Sequence, residues 1–273
     1  RRAQQQPWTV VAGANKCSTQ QPRTELNTAI RGKFKEKKNH GYLKISSLNV
    51  GSMHRRANEV VEIMERRNID IACIQETRWR GGSARMIPGR SKKYKFFWSG
   101  NNSGQGGVGI LVSEKIIEKI LSVERVDHRI ITMRLLLGKL MLNIKSVYAP
   151  QTGRTTEEKN EFYTKLIADI AKVPISEMLI VSGDLNGHVG TKSDGFEGHH
   201  GGLGFGERNT DGLRILDMCA ASNLAIANTF FTKPDNKLIT YKSGGANSQI
   251  DFLLVRKKYL KNVRNMGVIG NEE

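Results

Sequence analysis

Five apolar stretches in this chain each run into a polar side chain able to do chemistry. LKISSLNV carries Asn49, IDIACIQE ends at Glu76, and LMLNIKSVYAP carries Tyr148. MLIVSGDLN carries Asp184 and Asn186, and SQIDFLLV carries Asp251. Strands that share a sheet gather their ends at one rim, and these five segments would then build one acidic pocket with amide and phenol donors. That mixture suits a pocket that holds a divalent metal and a phosphate while a carboxylate activates water.

Each residue also has a plainer reading when taken alone. A lone carboxylate such as Glu76 at a strand end is more often a salt-bridge partner or a cap, and its burial is costly without a partner or a metal. SGDLN (182–186) reads as an Asx-turn closing a strand. It also reads as an Asp that takes a proton from water beside an Asn that orients it or meets a phosphate oxygen. Tyr148 is a core tyrosine or a donor to a phosphate oxygen. Asn49 is a turn residue or a support for the acid or metal. Asp251 lies inside an apolar strand, where an unpaired carboxylate is expensive, so a His or Arg partner is expected. His188, His199 and His200 match no metal-ligand spacing and read as loop residues. The glycine clusters at 81–82, 104–109 and 201–206 lack the GxxxxGK[ST] pattern of a phosphate loop.

The elements that must position these residues follow from hydrophobic period. Ile45, Leu48 and Val50 mark a strand. Ala57, Val60, Val61 and Met64 share one face of a helix near 53–67. Strands are expected over 69–75, 94–99 and 108–113, with a basic loop at 81–93 and a turn at 101–107. Residues 129–137 and 139–148 read as a hairpin across Gly138. Thr155 or Thr156 caps a helix over 157–172. A central strand over 178–183 is followed by a Gly/His-rich loop at 187–209 and a helix bearing Leu213, Leu216 and Ala220. Strands near 224–228, 238–242 and 250–255 complete the pattern. Hairpins exclude a purely parallel sheet, so two mixed sheets packed together with helices outside fit best.

Composition sets the partners. The chain has 273 residues and a formal net charge of +17, which predicts attraction to polyanions, nucleic acid first and acidic membrane second. Residues 1–40 hold nine Lys or Arg against two Glu and read as a basic, disordered tail before one domain over 41–273. Within the tail, RGKFKEKK (31–38) is a nuclear-localisation signal, a phosphate-gripping arm or simply a solvated segment. No apolar run approaches the roughly 20 residues of a membrane span. The first residues lack a signal-peptide core and an initiator Met, which suggests a fragment or a processed form. Cys17, Cys73 and Cys219 are odd in number and widely spaced, against a disulfide framework or a zinc site. Cys73 and Cys219 read as core thiols, and a reducing compartment, cytosol or nucleus, follows.

In order, LNV (48–50), QET (75–77), YAP (148–150), GDLN (183–186) and IDF (250–252) resemble the endonuclease/exonuclease/phosphatase superfamily over residues 42–273. The segment 206–231 is similar to the endonucleases of LINE, and especially RTE-like, retrotransposons. The resemblance implies a four-layered α/β sandwich and Mg²⁺-dependent cleavage of DNA phosphodiesters, with Mn²⁺ as a substitute. It implies a monomer acting in the nucleus. It makes Glu76 the metal ligand, with Asn49 supporting the metal or the base. Asp184 aligns the attacking water, and Asn186 and Tyr148 bind the scissile phosphate. Asp251 orients a catalytic His, and Arg78, Asn209, Thr240 and Tyr241 lie near the nucleic acid. The family closes with a Ser-Asp-His or similar triplet, whereas His128, His188, His199 and His200 all precede Asp251. The expectation is therefore a nuclease fold that is weak or inactive in this chain. A domesticated, non-catalytic DNA- or chromatin-binding module is the second reading, and a phosphatase acting on inositol lipids or sphingomyelin the third.

Overall fold

Runs of buried β-branched and aromatic residues build the strands. In the computed structural model, which describes residues 4–5, 8–12 and 43–269, they form sixteen strands with four helices between them. The order begins β1 (Gln4–Gln5), β2 (Trp8–Ala12), β3 (Leu43–Asn49), α1 (Ala57–Arg67), β4 (Ile71–Gln75), β5 (Gly82–Pro88) and β6 (Lys93–Ser99). It continues with β7 (Val108–Ser113), α2 (Glu114–Ile117), β8 (Ile120–Asp127), β9 (Ile130–Leu137), β10 (Leu140–Tyr148), α3 (Thr156–Ala171) and β11 (Met178–Asp184). It closes with α4 (Thr210–Ala221), β12 (Leu224–Ile226), β13 (Tyr241–Ser243), β14 (Ala246–Ser248), β15 (Asp251–Arg256) and β16 (Val263–Val268).

Two mixed sheets carry the fold. A seven-stranded sheet runs β16-β2-β3-β4-β7-β6-β5, and a six-stranded sheet runs β12-β15-β11-β10-β9-β8. Each holds one parallel pair, β3 with β4 and β10 with β11, and each pair needs a crossover helix, supplied by α1 and α3. Side chains alternate across each strand. Ile45, Cys73, Ile144, Ile180 and Leu253 meet between the sheets. Val147, Val181 and Leu254 face outward onto Phe162 and Leu166 of α3 and onto Leu216 of α4. Ile74 and Leu111 face outward onto Val60, Val61 and Met64 of α1. The result is a helix–sheet–sheet–helix sandwich, the fold class expected. Among the described residues no helix is long and apolar enough to cross a membrane.

Local chemistry explains the helix ends. Thr155 caps α3 by accepting from the Glu158 amide at 3.2 Å. α1 ends where Asn68 turns left-handed at φ +52°.

At five places the structure differs from the expectations. Gly82–Pro88 is a strand and not a loop, paired along its whole length with β6. Only Ile87 of it is buried, so no alternation signals a strand. β8 was not anticipated because two register shifts interrupt its alternation. Ala227–Phe230 forms a 3₁₀ turn and not a strand end, and the strand expected over 238–242 begins only at Tyr241 and runs to Ser243. Within the segment read as a tail, Trp8–Ala12 pairs with β3 on one side and β16 on the other. RGKFKEKK and Cys17 lie outside the described residues.

Candidate active site

Register brings the polar strand ends together. Asn49 is paired with Gln75 across β3 and β4, next to Glu76, and Tyr148 is paired with Asp184 across β10 and β11. Asp184 is in turn opposite Asp251 at the start of β15. Parallel pairing in both sheets points these ends at one rim, where the two sheets meet.

An amide joins the sheets there. Asn49 Nδ2 donates to Glu76 Oε1 at 2.9 Å and to Asp184 Oδ2 at 3.2 Å. Asn49 Oδ1 accepts from the Gly51 amide at 2.9 Å, which fixes which end of the side chain faces the acids. In this orientation the Asn49 NH₂ faces and positions the two carboxylates, and its oxygen is turned to the Gly51 amide. The Tyr148 hydroxyl also donates to Glu76 Oε1, at 2.9 Å, and accepts from Gln151 Nε2 at 3.2 Å. The Asn186 amide donates to Asp184 Oδ1 at 3.1 Å, while its side chain donates to the Ala149 carbonyl at 3.0 Å. Below the rim, Ser47, Gln75 and Ser146 form a buried hydrogen-bonded seam between the sheets.

Backbone strain concentrates at the same place. Glu76 and Arg78 (φ +54° each) and Asn186 (φ +50°) adopt the left-handed region that side chains disfavour. The turn after β4 is held in this shape by Thr77 N donating to Gly107 O at 3.1 Å and Arg78 N to Gly106 O at 2.8 Å. A Cβ on Gly107 would lie 2.4 Å from Thr77 Oγ1, so that position needs glycine.

Electrostatics follow from burial. Asn49, Tyr148, Asp184 and Asp251 are buried, whereas the Glu76 side chain is 18% exposed. Burial, then the charges of Glu76 and Asp184, push the Tyr148 phenol well above the usual tyrosine range, against the opposing pull of Arg129. The phenol is therefore a proton-bearing donor at any physiological pH. Arg78 stands at the rim, its Nη2 3.4 Å from Glu76 Oε2, with an exposed side chain.

Among the described residues no three His, Cys, Asp or Glu side chains gather closely enough to enclose a metal by themselves. Glu76 and Asp184 nonetheless fit a small hard cation. Mg²⁺ is commonly bound by one or two carboxylates and completes its shell with water and substrate phosphate oxygens.

Two residues expected near the nucleic acid hold backbone in place. The Thr240 hydroxyl, 1% exposed, accepts from the amides of Ile250 and Asp251 and so pins the start of β15. Asn209 caps α4, its Oδ1 accepting from Gly212 N at 2.8 Å and His188 N at 3.0 Å. Tyr241 is half-exposed in β13, opposite Ser248. Gln151 was missed; it sits just past YAP, in a turn whose hydrogen bonds no period in the sequence signals.

The sequence profile of the Endonuclease/Exonuclease/phosphatase family matches residues 46–264. Craniofacial development protein 2 of Tragulus javanicus is 30% identical over 225 residues, covering 81% of this chain and 38% of that protein. The Bos taurus protein of the same name is also 30% identical over 225 residues, covering 81% of this chain and 37% of its own length. The chain thus spans less than two fifths of these relatives. Among solved structures, it is similar to the endonuclease domain of TRAS1, a telomere-specific non-LTR retrotransposon. That match has a TM-score of 0.55 and 17% identity, over 80% of this chain and 87% of that one. The catalytic domain of Xenopus laevis APE2 gives a TM-score of 0.54 and 15% identity, over 80% of this chain and 83% of that one. At these identities the likeness is one of fold.

Proposed function

The chain belongs to the endonuclease/exonuclease/phosphatase family, and from that premise we propose that it is a Mg²⁺-dependent DNA endonuclease of retrotransposon type. The observation that carries the reading is the Asn49 amide held between Glu76 and Asp184, one acid from each sheet. Two buried or half-buried carboxylates steadied by neutral donors are suited to a cation and a phosphate arriving together. The net charge of +17 supports a polyanionic substrate.

Each side chain then has a distinct role. Glu76 would hold the metal, which when bound supplies charge stabilisation at the phosphate oxygens. Asp184, oriented by Asn49 and by the Asn186 amide, takes the proton of the attacking water. Tyr148 keeps its proton and donates to a phosphate oxygen as charge develops there. Arg78 at the rim meets a neighbouring phosphate. Asn186 steadies Asp184 through its backbone, and Asp251 borders the site as the strand neighbour of Asp184.

Supercoiled plasmid tests the proposal. With Mg²⁺ the protein is expected to convert it to the open circle, EDTA to stop the conversion, and Asp184→Ala to abolish it. Plasmid bound but never nicked, with Mg²⁺ or Mn²⁺ present, would show a DNA-binding module in its place.

A further inference from the structure

Next to the rim, the strained turn after β4 opens into a groove with a volume of about 990 Å³. Arg55, Arg78, Arg80, Arg85, Trp79 and Trp98 line it, and no carboxylate does. Arg78 joins the groove to Glu76. Several arginines elsewhere are engaged: Arg56 with Glu59, Arg90 with Glu62, Arg134 with Glu177 and Arg154 with Glu158, and Arg125, Arg208 and Arg256 with backbone carbonyls. Among the described residues, Arg55, Arg80 and Arg85 make no such pair. Three unmatched guanidiniums in one concavity repel each other, and an anionic occupant relieves that cost.

The aromatic part narrows what the occupant is. Trp79 meets Trp98 edge-on at 4.8 Å and Phe96 at 5.3 Å, so it is packed rigidly from below. The Arg85 guanidinium lies 4.9 Å over the Trp79 ring. Trp98 Nε1 donates to the Arg80 carbonyl at 3.2 Å, which holds Arg80 at the groove wall. Planar cations and indoles interleaved with phosphate-binding charge form a stacking platform for unpaired bases. A duplex hides its base faces and offers such a platform only backbone charge.

We propose that this groove holds an unpaired DNA segment continuous with the strand whose phosphate reaches Glu76 and Asp184. Its phosphates meet Arg55, Arg78 and Arg80, and a base lies against the Arg85–Trp79 stack. The preferred substrate is then a duplex bearing a single-stranded flap or overhang at the site. This rests on the nuclease reading only in placing DNA at the neighbouring rim.

Fluorescence anisotropy in EDTA tests it, with a labelled blunt duplex and the same duplex carrying a short single-stranded DNA tail. The tailed DNA is expected to bind about tenfold tighter, near the low end of what one stacked base contributes. In the double variant Arg80→Ala/Arg85→Ala that preference should vanish, while affinity for the blunt duplex changes by less than about twofold, both side chains lying outside the duplex contact. An unchanged melting curve shows that the variant folds. Equal binding of tailed and blunt DNA by the unsubstituted protein overturns the proposal. An equal loss on both DNAs in the variant, or tighter binding of an RNA tail, overturns it too. Nicking without tail preference leaves the nuclease reading standing and this one refuted; tail preference without nicking does the reverse.

Discussion

One strand carries two buried polar centres that behave differently. Lys145 and Tyr148 both lie on β10, three residues apart, and so face opposite sides of the sheet. On the outer side, Lys145 Nζ donates to Asp169 Oδ2 of α3 at 2.5 Å and to Thr132 Oγ1 at 3.0 Å. Lysine and aspartate are 1% and 2% exposed, and a second ammonium, that of the exposed Lys172, stands 3.4 Å from the other aspartate oxygen. On the inner side, Tyr148 reaches Glu76, which shares the Asn49 amide with Asp184. A buried charge beside its counter-charge is complete and belongs to the architecture. Two carboxylates steadied by an amide and a phenol keep a negative potential that a cation can use. Burial alone does not distinguish a site; the kind of donor given to the charge does.

Substitution at the acids tests that distinction most strongly. Glu76→Gln is expected to lower the plasmid-nicking rate by roughly 10³-fold, since a bound metal is worth several kcal/mol of transition-state stabilisation. The melting temperature should hold or rise, because one of two like charges sharing a donor has been removed. A fall in stability with little change in rate would make Glu76 a structural acid like Asp169.

The converse experiment concerns the buried Lys145–Asp169 pair. Lys145→Met leaves Asp169 with only the exposed Lys172 ammonium, 3.4 Å away, and should cost about 3 kcal/mol in urea unfolding, the low end for breaking a buried pair. Adding Asp169→Leu should recover most of that loss, and nicking per folded molecule should be unchanged in both variants. Failure of the double variant to recover would mean that Thr132 and the α3 packing, and not the charge, set the cost.

These two centres were not equally legible. Asn49, Glu76, Tyr148 and Asp184 each end an apolar run, and parallel pairing carries the ends of such runs to one rim. Apolar runs that break at a polar residue were therefore enough to point to this cluster. Lys145 and Asp169 sit amid apolar residues of a strand and a helix, and only the tertiary fold joins them. Thr240 and Asn209 show a different gap. Their residue types suit a ligand, but which backbone amides they cap depends on the loop conformation. Trp79 and Trp98 are separated by β5 and brought together by its hairpin with β6, an edge whose single buried residue leaves no period to read. Trp8–Ala12 was obscured because a five-residue strand is averaged away within a polar segment.

Tyr148→Phe should have a smaller effect than the acids. Removing one donor to a developing oxyanion typically costs about 10²-fold in rate. The phenol's upward shift also predicts that wild-type nicking has no alkaline limb from this group near pH 10, the usual tyrosine value of about 10 having been left behind. A limb at that pH that disappears in Tyr148→Phe would show that the phenol ionises in the folded protein, and that the rim is wetter than its burial indicates.

The mildest test uses Cys73, on the same strand that ends beside Glu76 but deep between the sheets. Burial pushes its thiol up to about 12. The unfolded thiol ionises near 8.5, so the folded protein binds the extra proton between those values. The resulting stability is fully present below about pH 8.5 and is lost as pH rises, by about 1.4 kcal/mol per unit for a single thiol. At neutral pH the effect is nil and the thiol should resist alkylation. Urea midpoints measured from pH 7 to 11 should show a shallower decline in Cys73→Ala than in the unsubstituted protein. Identical slopes would mean that solvent reaches the seam of Ser47, Gln75 and Ser146 beneath the rim. The carboxylates above would then be steadied by water as well as by Asn49.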